Sequence, residues 1–400
     1  MNSRQVLLNI LLAGGINLVA VERNLLPPLL AQSPVANPLE REIDVRDPVI
    51  PPGYGKRELS SFEIYRIERE INKLDQNAQE EQQQGNTDRA FELWYRQLKL
   101  ARAINPEVEI TALGNIGAIA WQENRAEDLR NIANRLIAIE QQMSQGDSSP
   151  ELLKHFAKAY EQVRYVEQAI SIYQQILSNN QQQNNLEAVS ENLETLGKLY
   201  VAQFNYPEAA ITYQELLSLA ESKSIAAPSK QVDFYLNTLI DLYDRTNQIK
   251  PAIATRKRLI ANYTKSKKLE PVAGIQLAIS HDYAALNQPK EAQVAYEQAF
   301  ELASATQQLA IASNALDSLG KLYLQSGEDE KAIATLTQLL KIQQQSYDHY
   351  GLINTYDTLG KISLASGQKK SAKHYFQQAL DLAQTLNYKV EYFKRQNAQL

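Results

Sequence analysis

The pentapeptide Leu-Gly-Lys-Leu-Tyr stands at Leu196–Tyr200 and again at Leu319–Tyr323, and a near copy, Leu-Gly-Lys-Ile-Ser, stands at Leu359–Ser363. The last two begin 40 residues apart; the 123 residues between the first two hold two steps of 40 and one of 43. Carrying this phase along the chain predicts eight units starting near Ile71, Ile110, Pro150, Ser190, Asp233, Ala273, Ser313 and Ile353. A fixed period of this length means one supersecondary unit written many times, each copy burying its apolar face against its neighbours. A chain patterned in this way is built to stack.

Counted from those starts, the twentieth place is Ala90, Ala169, Ala209, Ala252, Ala292, Ala332 and Ala372, with Leu129 as the one exception. The eighth place is small in seven units (Ala78, Gly117, Ala157, Gly197, Ser280, Gly320 and Gly360, against Ile240). Rings recur at the eleventh place (Tyr160, Tyr200, Tyr243, Tyr283, Tyr323) and at the twenty-fourth (Trp94, Tyr173, Tyr213, Tyr296, Phe376). Small residues let two helices approach, and large rings on one fill the space left by small residues on the other. Gly85, Asn124, Asn247, Asn287, Gly327 and Gly367 share the fifteenth place, where a left-handed residue would end the first helix. Each unit therefore reads as a helix, a tight turn and a second helix.

This order of small and aromatic places resembles the tetratricopeptide repeat, over about residues 60–386. The resemblance implies an all-α fold, an α-α superhelix or solenoid of about eight helix-turn-helix repeats. Residues 387–400 would add a capping helix with a polar outer face. Glu81 and Ala120 depart from the aromatic place in the first two units. The family's helix-ending proline at the thirty-second place is absent throughout, and Arg102, Gln141, Gln181, Glu221, Thr264, Ser304, Gln344 and Gln384 stand there. The second helix is then expected to run on, which accounts for a period of 40 where the family has about 34.

Composition narrows the chemistry. With 46 acidic and 41 basic residues, a net charge of -5 and no basic block, the chain lacks what counterion release on nucleic acid requires. Zero cysteines exclude disulfides, thiolate catalysis and cysteine-held zinc or iron-sulfur centres. Each Gly-Lys of the repeated motif is followed by Leu or Ile inside a predicted helix, and lacks the earlier glycine of a phosphate loop. There is no HExxH and no GxSxG, and the four histidines are scattered. The expectation is a chain that binds and does not catalyse.

At the amino terminus Arg4 precedes an apolar run, Val6 to Val21, and Ala31 follows in a proline-flanked polar stretch, the layout of a secretory signal. The run is shorter than the about 20 apolar residues of a spanning helix. Residues 1–31 are read as a cleaved signal or an uncleaved anchor. Either one puts the body of the chain on the exported side, in a periplasm or lumen. Residues 32–57 hold Pro34, Pro38, Pro48, Pro51, Pro52, Gly53 and Gly55 and read as a proline-rich linker or an extended arm, with the patterned body, 58–386, after it.

A stacked array offers a groove lined by the first helices, and in the resembled family that groove holds a peptide or a helix of a partner protein. The second, fifth, ninth, twelfth and thirteenth places share one helical face. They nominate Lys158, Lys198, Lys321 and Lys361 at the ninth place, Asn314 and Asn354 at the second and Asn237 at the fifth as partner-binding residues. The other reading of the lysines is local: Glu194–Lys198, Asp317–Lys321 and Asp357–Lys361 are acid-before-base pairs one turn apart, worth about 0.2–0.5 kcal/mol each to a helix. Asp241 and His281 occupy the ninth place of adjacent units, with Asp244 one turn on, and would suit Mn(II) or another divalent ion if brought together. Otherwise they are surface acids beside a solvated histidine.

The chain is also similar in layout to the processing-associated tetratricopeptide proteins of photosystem II assembly. That similarity implies an exported assembly factor, the D1 precursor as partner and a link to manganese. The alternatives are a membrane-anchored structural scaffold and a peptide-sensing regulator.

Overall fold

The computed structural model describes residues 37–41, 43–143, 149–222 and 229–399. The expected signal or anchor at 1–31, and residues 32–36 of the expected linker, lie outside the described residues. Within them are seventeen α-helices and no strand longer than an isolated bridge. Eight successive pairs are α1 (Ser61–Gln83) and α2 (Thr87–Ile104), α3 (Pro106–Gln122) and α4 (Ala126–Met143), α5 (Pro150–Gln162) and α6 (Val166–Gln182), α7 (Leu186–Ala202) and α8 (Tyr206–Glu221), α9 (Ser229–Arg245) and α10 (Ile249–Lys265), α11 (Val272–Ala285) and α12 (Pro289–Ala305), α13 (Leu309–Gln325) and α14 (Asp329–Gln345), and α15 (His349–Ala365) and α16 (Lys369–Thr385). A last helix, α17, runs Val390–Ala398.

Contacts divide the chain into two compact units, Met1–Asp147 with Lys158–Arg164, and Ser148–Ala157 with Tyr165–Leu400. In the first, α1 packs on α2, α2 on α3 and α3 on α4. In the second, every helix from α6 to α17 packs on the next, the nearest-neighbour pattern of a repeat stack. Phe393 of α17 is buried against Phe376 and Ile353, while Glu391, Lys394 and Arg395 face solvent, so the stack ends on a polar surface.

The turns explain the period. All eight residues at the fifteenth place have positive φ, adding Arg164 (62°) and Phe204 (58°) to the six glycines and asparagines expected there. The turns between repeats use the same device at Asn184, Lys267, Gln307, Tyr347 and Asn387, which no glycine marks. At the turns other than the one at Arg164, the next amide reaches back to a carbonyl five residues earlier, as in Gln248 N to Tyr243 O (2.8 Å) and Gln308 N to Ala303 O (2.8 Å). These bonds cap the helix end and offset a left-handed residue's cost of about 1–2 kcal/mol. The tyrosine of Leu-Gly-Lys-Leu-Tyr supplies that carbonyl at Tyr200 and Tyr323. The second helices reach Gln182, Lys265, Ala305, Gln345 and Thr385, one residue past the place where the family's proline would stop them.

Small and large places interlock. A Cβ on Gly197 would lie 2.9 Å from the Tyr213 ring, on Gly320 2.9 Å from Leu336, and on Gly360 2.7 Å from Phe376, pairing the eighth place with the twenty-fourth of the same repeat. The seven alanines of the twentieth place are fully buried or nearly so. The tyrosines of the eleventh place also carry a contact that periodicity does not show. Gln174 donates to the Tyr200 hydroxyl (2.8 Å), Gln214 bonds Tyr243, Lys257 donates to Tyr283 (2.7 Å), and the Tyr323 hydroxyl donates to Glu297 (3.1 Å). All four partners occupy the twenty-fifth place of the preceding repeat, so the ring of the eleventh place, buried at Tyr200, Tyr243 and Tyr323 and partly buried at Tyr283, ties consecutive repeats together through a polar tip. Burial and the bond to Glu297 push the Tyr323 phenol up to about 12.

Of the two readings of residues 32–57, the described part is an arm docked on the first unit and not a free linker. Leu39 is fully buried, and Ile50 packs with Ile67, Leu74, Leu100 and Ala103. Arg102 donates to the carbonyls of Leu39 and Arg41, and Asp47 accepts from Arg96 (2.9 Å). Arg102 is itself held by the buried Glu109 (2.9 Å), which also accepts from Nε and Nη2 of Arg135 (2.7 and 2.9 Å). Prolines prevent helix here, and the segment folds as a run of turns, such as Glu40 N to Asn37 O (2.9 Å) and Ile50 N to Asp47 O (3.0 Å), with side chains of the neighbouring helices taking further carbonyls.

Candidate binding cleft

The first helices of the last two repeats, α13 and α15, form the walls of a cleft of about 360 Å³ in the second unit. Asn314, Lys321 and Asn354 line it, so three of the nominated partner-binding residues are brought together. Asn314 and Asn354 occupy the same place one repeat apart, both are exposed, and neither side-chain amide has a hydrogen-bond partner among the described residues. An amide offers a donor and an acceptor, the complement of one peptide unit of a main chain. Ser313, Thr358, Asp317 and Asp348 complete a polar lining over Leu324 and Leu336. Asp348 is already engaged, accepting from the Gly351 amide (2.8 Å) as the cap of α15.

The lysines follow the local reading more than the ligand-facing one. Lys321 pairs with Asp317 (2.6 Å) and Lys361 with Asp357 (2.8 Å), each within its own helix. Lys361 also lies over the Tyr392 ring of α17, 5.7 Å from its centroid, and its bond to Asp357 holds its pKa above the ordinary lysine value. Lys198 stands 4.0 Å from Glu194, whose carboxylate is taken by the Tyr235 hydroxyl and Gln231, so its ammonium is the least engaged of the three. Lys158 is exposed on α5 in the first unit. Asn237 is occupied: its amide donates to the Asp233 carbonyl (2.7 Å) and approaches the Tyr263 hydroxyl (3.4 Å). The helix crossing places residue five beside the neighbouring second helix, a contact that the helical face alone does not reveal.

The nominated metal residues do not fit a cation. Asp241 pairs with Arg245 (2.7 Å), and Asp244 accepts both bonds of Arg256 (2.8 and 2.6 Å). His281 turns its Nδ1 to the Tyr296 hydroxyl (2.9 Å), and its burial on that side lowers its pKa. Among the described residues no three His, Asp or Glu side chains converge on one point. The physical reason is Arg256, whose guanidinium reaches Asp244 and, at 2.6 Å, Asp282 of the next repeat. The positive charge that those acids call for is already supplied by the chain.

No helix among the described residues is long and apolar enough to cross a membrane. The family profile described as tetratricopeptide repeat matches residues 308–385, which carry the cleft. No curated protein matches the chain. Among solved structures, the chain is similar to BtubC from P. vanneervenii (18% identity, 60% of this chain and 93% of that one, TM-score 0.37). It is also similar to aspartyl phosphate phosphatase F from Bacillus subtilis (13%, 69% and 76%, TM-score 0.37). A third is the C-terminal part of a repeat-containing protein from Cytophaga hutchinsonii (14%, 68% and 96%, TM-score 0.39). Similarity of this degree carries no function with it.

Proposed function

We propose that the chain, whose residues 308–385 match the tetratricopeptide repeat, is a non-catalytic scaffold that holds an extended segment of a partner protein between α13 and α15. The observation that carries this reading is the pair of free amides, Asn314 and Asn354, one repeat apart on the walls of a single cleft. They bind main chain, and Leu324 and Leu336 below them receive an apolar side chain. Because Lys321 and Lys361 are neutralised by Asp317 and Asp357, the partner need not be acidic, and its binding responds weakly to salt.

The test is selection of peptides from a displayed library on the full chain, followed by titration of the selected peptides. Asn314→Ala with Asn354→Ala is expected to weaken them by at least about tenfold, near 1.4 kcal/mol, with the helical circular dichroism unchanged. Peptides that bind the double variant as well as the parent would mean that this cleft is not the site.

The finer form of the reading is an exported scaffold that assists assembly of a membrane complex such as photosystem II. Arg4 and the apolar run from Val6 to Val21 support export, and the resemblance in layout supports the assembly role. Amino-terminal sequencing of the protein purified from its own cells should begin near Gln32. A chain found in the cytosol with residues 1–31 intact removes the exported form and leaves the cleft reading standing.

A further inference from the structure

A second cavity lies in the same unit, between the second helices of consecutive repeats. The cleft between α10 and α12, floored by α11, encloses about 570 Å³, larger than the cleft between α13 and α15. A smaller opening, of about 420 Å³, lies at the end of the gap between α8 and α10, and one residue of the floor sets the larger cavity apart. At the fourth place of the repeat stand Leu74, Leu113, Leu153, Leu193, Leu236 and Leu316, all buried, and Tyr356 in the last repeat. In the sixth repeat alone that place is Gln276, only partly buried, whose amide donates to Gln298 of α12 (2.8 Å) across the edge of the cavity. A core leucine has been replaced by a polar group turned aside, and the space it would fill is open.

The floor is apolar: Ile279 and Ala295 are buried, with Ile260 and the ring of Tyr283 beside them. The rim is basic. Lys257 donates to the Tyr283 hydroxyl, Lys290 has no ion-pair partner among the described residues, and Glu291 is the one acid present, leaving a net positive charge at the mouth. A pocket of a few hundred Å³ with an apolar base and a few polar groups at its entrance is the usual form of a small-molecule site.

We propose that this cavity binds a small amphipathic carboxylate of the medium-chain fatty-acid type, its alkyl chain on Ile260, Ile279 and Ala295 and its carboxylate at Lys257 and Lys290. Gln276 is the residue that makes the site. The probe is anilinonaphthalenesulfonate, an aromatic body with one anionic head, titrated into the full chain by fluorescence. Saturable binding is expected, displaced by decanoate at least about tenfold more effectively than by decanol. Gln276→Leu, which restores the residue that six other repeats carry, is expected to weaken probe and decanoate by about tenfold or more and to keep or raise Tm. Lys290→Glu is expected to weaken decanoate severalfold without moving Tm. Binding that survives Gln276→Leu unchanged, or decanol displacing the probe as well as decanoate does, overturns the proposal.

Discussion

Replacing Arg256 by Ala is expected to destabilise the second unit by about 3–5 kcal/mol at neutral pH, the scale for removing one partner of a buried ion pair. The guanidinium is buried and bridges Asp244 and Asp282, which belong to consecutive repeats. Asp244 is half exposed and water can take over its solvation, whereas the Asp282 side chain keeps only 18% of its exposure. Burial already raises the Asp282 pKa, with Arg256 opposing that shift. In the variant that opposition is gone and the folded-state pKa rises further above the unfolded value. The penalty is then fully present above the folded pKa and fades as pH falls through it toward the unfolded value, near 4. Asp282→Asn in the Arg256→Ala background should recover most of the loss at neutral pH. Urea melts of the four proteins at neutral and acidic pH measure the coupling, and a single variant as stable as the parent would show that water relieves both acids.

The second large effect is expected from Gly360→Leu, at about 3 kcal/mol or more of lost stability. Gly360→Ala sets two terms against each other, a gain of about 1 kcal/mol in helix propensity and a clash of the new Cβ 2.7 Å from the fully buried Phe376 ring. Leucine adds volume that the ring cannot yield, because α15 and α16 are tied by turns at both ends. Phe376→Ala, itself costly by about 3–5 kcal/mol, should restore part of the loss when combined with Gly360→Leu. Additive losses in the double variant would mean that the two residues do not share one volume.

Much of this architecture was legible in order alone, for a definite reason. Each repeat solves the same packing problem, so Gly197, Gly320 and Gly360, the buried alanines and the rings opposite them repeat with it, and a period reports them. Six of the eight left-handed turn residues could be read because Gly and Asn tolerate positive φ. Arg164 and Phe204 could not, since their conformation is imposed by the hydrogen bonds around them. The departure at Gln276 was also present in the order of residues, as a polar residue at a place otherwise leucine or tyrosine. Its meaning depends on α10 and α12 leaving the space open.

What periodicity leaves undetermined is the partner of each polar side chain. Lys321 and Lys361 stand on the expected face, yet their charge goes to Asp317 and Asp357, because an acid one turn away is already in reach when no ligand is. Of the nominated cation residues, Asp241 is answered by Arg245 and Asp244 by Arg256, a second-helix residue that also reaches Asp282 of the next repeat. The arm at 37–59 carries prolines that exclude helix and say nothing about what it rests on. Its docking follows from the exposed flank of α2 and from Arg102, held by Glu109 and pointing two donors at its carbonyls. Apolar periodicity is local and recurs every 40 residues, so the chain displays its own core. Hydrogen bonds and ion pairs are directional and join residues far apart in sequence, so they exist only once the repeats have stacked.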